Sequence, residues 1–121
     1  MKTILIIEDN EPNMHLLSFI LKKHGYEVLQ AYNANEGLKV TLEKKPDLIV
    51  MDWQLPDISG IELTKKLKKN KDFKDCPIVF CTSNVMKGDK EEAFEAGASG
   101  YIEKPIIPET FIQEINKYLQ N

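Results

Sequence analysis

Six residues of this 121-residue chain stand directly after, or close behind, short apolar runs, and each could help to move a charged group. Glu8 and Asp9 follow Ile4-Leu5-Ile6-Ile7. Asp52 follows Leu48-Ile49-Val50-Met51, and Thr82 and Ser83 follow Ile78-Val79-Phe80-Cys81. Lys104 closes the run that begins Gly100-Tyr101-Ile102. Three carboxylates brought close together repel one another and cost stability unless a cation neutralises them. Hard oxygen ligands with room for water suit Mg²⁺, which takes one or two carboxylates plus a phosphate. A lysine places a point charge on a phosphoryl oxygen, and a hydroxyl can hydrogen-bond another. The set fits phosphoryl transfer, where catalysis is mostly positioning and charge neutralisation. Its nucleophile would be a carboxylate, giving an acyl phosphate.

For these residues to meet, the chain must bring the ends of its apolar runs to one edge. The runs alternate with helical patterns. Leu16, Leu17, Ile20 and Leu21 share one face of a first helix, and Gly25 stands where its C-cap would be. Tyr26 to Ala31 reads as a second strand. Asn33 with Glu36 marks a helix start, and that helix runs to about Lys44, ahead of Pro46. Ser59 with Glu62 forms a capping box before a helix that carries Leu63 and Leu67. A fourth helix runs from about Lys87 to near Gly97. Pro108 suits the first turn of a fifth, whose apolar face is Phe111, Ile112, Ile115 and Leu119. Five βα units in a row predict an α/β fold, a mostly parallel sheet with helices on both faces. The first, third and fourth runs are apolar throughout, as strands covered on both sides are. Right-handed crossovers place every strand's C-terminal end on one edge, where such sheets bind ligands.

The sequence resembles the receiver domain of two-component response regulators, especially the stand-alone kind. The resemblance rests on Ile-Glu-Asp-Asn at 7–10, Met-Asp-Trp-Gln-Leu-Pro-Asp-Ile-Ser-Gly at 51–60, Cys-Thr-Ser at 81–83 and Glu-Lys-Pro at 103–105, and it covers essentially the whole of 1–121. It implies a flavodoxin-like doubly wound five-stranded parallel sheet, order 2-1-3-4-5, with five helices. It implies Asp52 as phosphoacceptor and Asp9 as a direct Mg²⁺ ligand. Glu8 then holds metal-bound water or assists directly, and the Gln54 backbone carbonyl completes the shell. It implies that Lys104 contacts the phosphoryl group, that Thr82 is the switch hydroxyl, and that Tyr101 turns inward with it. The Lys104-Pro105 bond is expected to be cis. Gln54 and Asn84 are the side chains flanking the attacking path. The donor would be a histidine kinase or a histidine phosphotransfer protein docking near the first helix. The signal would leave through the fourth helix, fifth strand and fifth helix to a downstream protein target. The resemblance thus implies a phosphorylation switch rather than an enzyme.

Other readings fit less well. A receiver fold that binds a partner without being phosphorylated has no need of Asp9, Asp52, Thr82 and Lys104 together. A receiver cut from a larger regulator or hybrid kinase shares every motif. A flavin carrier of the same topology needs a phosphate-cradling loop after the first strand, and Glu8-Asp9-Asn10-Glu11 would repel a phosphate there. The net charge of −3 gives nucleic-acid binding no support, and the run Lys65, Lys66, Lys68, Lys69, Lys71 and Lys74 reads as a solvated face. No stretch is a signal peptide or a membrane span, and the two cysteines lack zinc-site spacing, which points to the cytoplasm. Cys81 reads as core. His15 and His24 lie on the first helix, outside the helical bundle a phosphohistidine relay would need. Asp57 is assigned to the turn ahead of Ser59.

Overall fold

The computed structural model describes residues 1–83 and 88–119. Asn84 and the expected start of the fourth helix near Lys87 lie outside these. Five strands, β1 (Thr3–Ile7), β2 (Glu27–Ala31), β3 (Leu48–Met51), β4 (Ile78–Thr82) and β5 (Gly100–Glu103), alternate with five helices, α1 (Glu11–Lys23), α2 (Ala34–Lys44), α3 (Gly60–Lys69), α4 (Asp89–Ala96) and α5 (Pro108–Leu119). All pairings are parallel, in the order β2-β1-β3-β4-β5. The expected fold class and strand order are both found.

Strand periodicity divides the core into two layers. Leu5, Ile7, Ile49, Met51, Ile78 and Phe80 face α2, α3 and α4, packing with Ile61, Leu63, Leu67, Phe73, Ala93 and Ala96. Ile4, Ile6, Leu48, Val50, Val79 and Cys81 face α1 and α5, packing with Met14, Leu17, Ile20, Leu21, Phe111, Ile112 and Ile115. β1, β3 and β4 are buried almost throughout, which accounts for their unbroken apolar runs. Leu16, expected on the buried face of α1, is not core. It is 37% exposed, and Met14 and Ser18 fill the buried face of α1 with Leu17, Ile20 and Leu21.

Three helices, α1, α2 and α3, carry a local side-chain cap, whereas Gly88 ahead of α4 supplies none. Asn10 accepts from Asn13 N, Asn33 from Glu36 N and Ser59 from Glu62 N, so the caps read from sequence are present. Pro108 opens α5, as expected. The C-cap of α1 is His24, and Gly25 follows at φ +89°, the left-handed conformation that suits glycine after a helix. Both cysteines are free; Cys81 is buried and Cys76 half-buried. Among the described residues no helix is long and apolar enough to cross a membrane.

Candidate functional site

Register brings the site together. Ile7 is paired with Met51, and Asp52 N donates to Ile7 O at 3.1 Å, so the residues leaving β1 and β3 emerge side by side. Thr82 is opposite Glu103, and Lys104 N donates to Thr82 O at 3.0 Å, which joins the ends of β4 and β5 in the same way. Glu8, Asp9 and Asp52 converge so that one carboxylate oxygen from each lies within 4.8 Å of the others. Lys104 Nζ sits 2.8 Å from Glu8 Oε1 and 3.7 Å from Asp52 Oδ2.

The environments differ along this cluster. Glu8 is 1% exposed and Asp52 8%, whereas Asp9 is exposed. Burial raises the Glu8 pKa above its ordinary value, and bonds from Lys104 Nζ and Asn10 N offset only part of that. Burial pulls Lys104 down, but the Glu8 and Asp52 carboxylates outweigh it and hold the ammonium above its ordinary value. Lys104 therefore remains a cation among acids. Asp52 Oδ1 accepts from Trp53 N at 2.8 Å, which turns the other oxygen towards Lys104. The Lys104-Pro105 bond is cis, as expected.

Gly60 is a steric requirement of the site. A Cβ there would lie 2.2 Å from the Asp52 carbonyl oxygen, so only glycine lets α3 start this close to the strand end. Gly60 N also donates to Trp53 O at 2.7 Å, closing the neck of the loop that carries Gln54. Gln54 is an exposed residue of that loop, two positions beyond Asp52.

Thr82 is buried at the end of β4, and Tyr101 is half-buried on β5. Tyr101 stacks on Phe80 with centroids 6.5 Å apart and planes at 10°. Phe80 meets Trp53 edge to face at 5.7 Å. An aromatic row thus runs from the neighbour of Asp52 to Tyr101, joining three segments distant in sequence. His15 and His24 are exposed on or beside α1, away from the carboxylates, and His24 Nδ1 is within hydrogen-bond distance of Ile20 O.

Asp57 lies in the turn before Ser59, as expected. It does more than shape that turn. Its two carboxylate oxygens accept from Ala34 N and Asn35 N, both at 2.8 Å, at the start of α2. Desolvation pushes its pKa up, but these backbone bonds outweigh that and hold it below the usual carboxylate range.

The donor set fits a small hard cation. Three carboxylates share one mouth, one of them exposed, and among the described residues Lys104 forms ion pairs with two of them. The response regulator receiver domain family matches residues 4–116. The polar-differentiation response regulator DivK of Brucella anthropi is 42% identical over 118 residues, 98% of this chain and 96% of that protein. The solved structure of a two-component response regulator from Clostridium difficile superposes with a TM-score of 0.93 at 28% identity, covering 100% of this chain and 98% of that one. The receiver domain of the Pseudomonas aeruginosa sensor histidine kinase PA1611, described with a magnesium ion coordinated in its active site cleft, gives a TM-score of 0.91 at 25% identity, covering 99% and 98%.

Proposed function

The chain belongs to the response regulator receiver domain family, whose members act as phosphorylation-dependent switches in two-component signalling, and from that premise we propose that Asp52 is the residue phosphorylated. The observation that carries this reading is the convergence of Glu8, Asp9 and Asp52, with Lys104 Nζ 3.7 Å from Asp52 Oδ2.

A carboxylate oxygen of Asp52 attacks the phosphorus of a phosphohistidine on a histidine kinase or histidine phosphotransfer protein. The P–N bond breaks, the imidazole leaves with that electron pair, and an acyl phosphate remains on Asp52. Asp9, Asp52 and the Gln54 backbone carbonyl would hold Mg²⁺, with Glu8 positioned to hold its water or assist. When bound, the ion neutralises charge gathering on the phosphoryl oxygens. Lys104 takes up a phosphoryl oxygen from the position it now shares between Glu8 and Asp52. The magnesium described in the PA1611 receiver domain supports the choice of ion.

The new group carries a charge of about −1.5 to −2. It draws the Thr82 hydroxyl towards it, and Tyr101 turns inward. That biases an existing equilibrium towards the active shape of α4, β5 and α5, which meet a downstream protein. The phosphodonor docks near α1, where Leu16 and Phe19 are exposed, with Ile107 exposed ahead of α5. The receiver domain takes up 1–121 and works in the cytoplasm.

Intact-mass spectrometry after incubation with acetyl phosphate tests this. One phosphoryl group should appear on the native chain with Mg²⁺, and none without Mg²⁺ or in Asp52→Asn. An Asp52→Asn variant phosphorylated like the native chain would overturn the assignment.

A further inference from the structure

We propose that Asp57 is a positioning residue for the metal site: it clasps the start of α2 and so holds the loop between β3 and α3, and with it the Gln54 carbonyl, in place for Mg²⁺. The inference rests on the reading of Gln54 as a metal ligand.

Four backbone N–H groups at a helix start need partners. In α2 three of them, on Ala34, Asn35 and Glu36, have partners within the protein. Glu36 N donates to Asn33 Oδ1, and Gly37 N to Asn33 O. These two bonds are supplied by the residue just ahead of the helix. Ala34 N and Asn35 N donate to Asp57, which lies 23 and 22 residues away. Ala34 is 1% exposed, so its amide needs a partner within the protein, and Asp57 supplies it from a distant segment. What the long-range bonds add is a link between two segments that both lead to the site.

On one side of the link is the loop. Asp57 is three residues beyond Gln54, a reach of at most about 10 Å, and Pro56 between them has a fixed φ. The neck of the loop is already closed by Gly60 N on Trp53 O. Asp57 fixes its apex. On the other side is α2. Gly37 lies so close to β1 that a Cβ would be 2.5 Å from Ile7 Cδ1, and Ile7 immediately precedes Glu8 and Asp9. The clasp therefore sets the loop carrying Gln54 and the strand end carrying the acids in one frame. Outer contacts of this kind orient metal ligands and tune affinity.

Asn33 and Asp57 cap the same helix, and only Asp57 reaches it from the loop. That difference separates a positioning role from simple helix stabilisation. The experiment is a Mg²⁺ titration followed by Trp53 emission in the native chain, Asp57→Ala, Asp57→Asn and Asn33→Ala, with urea unfolding of each. Asp57→Ala should weaken Mg²⁺ binding roughly ten-fold, with Asp57→Asn in between. Asn33→Ala should lose stability yet bind Mg²⁺ within about two-fold of native. Equal affinity in Asp57→Ala and the native chain would overturn the clasp while leaving the metal reading intact. Equal weakening by Asn33→Ala would also overturn it, by making the effect one of helix stability. A native chain that does not bind Mg²⁺ would overturn the metal reading first, and the clasp with it.

Discussion

Lys104→Met should make the protein depend on a divalent cation for its stability. The methionine keeps the apolar stem and removes the charge. In the native chain Nζ is 2.8 Å from Glu8 Oε1 and 3.7 Å from Asp52 Oδ2, and the side chains of Lys104, Glu8 and Asp52 are 14%, 2% and 10% exposed. At an effective dielectric constant near 20 these contacts are worth roughly 6 and 4.5 kcal/mol before desolvation. Removing one partner of a buried pair costs about 3–5 kcal/mol. Lys104 retains some access to water, which reduces the expected loss to about 2 kcal/mol. With a urea slope near 1.5 kcal/mol/M that lowers the midpoint by about 1.3 M. Mg²⁺ at a hundred times its dissociation constant adds about 2.7 kcal/mol to a protein that binds it only when folded. The variant should gain at least as much as the native chain, because no ammonium competes for Glu8 and Asp52. Urea melts with EDTA and with Mg²⁺ measure both quantities. A variant within about 0.5 kcal/mol of native in EDTA would refute the view that Lys104 compensates the acids. A variant that Mg²⁺ stabilises less than the native chain would refute the idea that ammonium and metal share them.

Gly60→Ala should destabilise by about 3 kcal/mol, because its Cβ meets a backbone carbonyl at 2.2 Å rather than a side chain that can move; a urea midpoint equal to native would contradict this. Phe80→Leu removes ring contacts to both Trp53 and Tyr101 and should cost about 1–2 kcal/mol. It should also change the Trp53 emission spectrum, and an identical spectrum would rule out the aromatic row. The Asp57 carboxyl is held below its ordinary range in the folded chain. Its contribution is therefore present above the unfolded-state value and lost as pH falls through the lower folded value. Asp57→Asn should flatten the acid limb of a stability profile, and an unchanged limb would count against the two backbone bonds.

Much of the site is legible in sequence because parallel strands share a direction. Once the runs before Glu8, Asp52 and Thr82 read as buried strands, their ends must lie on one edge, and Lys104 joins them through β5. The caps at Asn33 and Ser59 are legible for a similar reason, since donor and acceptor sit three residues apart. Asp57 fails that condition. Its acceptors' partners are more than twenty residues away, and nothing local distinguishes it from a turn aspartate. Leu16 shows the limit of helical periodicity. A four-residue apolar stripe fits a face, but only packing decides which of Leu16 and Ser18 is turned inward. The aromatic row escapes notice because Trp53, Phe80 and Tyr101 come from three separate segments that only the sheet brings into contact.

The division of the core into two layers has a consequence for thiol chemistry. Burial pushes Cys81 up to about 12 and Cys76 up to about 11, so both are protonated and slow to alkylate or oxidise at neutral pH. Cys81 lies in the layer beneath α1 and α5, and Cys76 packs against the layer beneath α2, α3 and α4. Cys81 is buried and can meet a reagent only when its layer opens, whereas Cys76 is half-buried and keeps some access to solvent. The alkylation rate at Cys81 would therefore time the local opening of the layer beneath α1 and α5, with Cys76 as the more accessible internal comparison, without any added label.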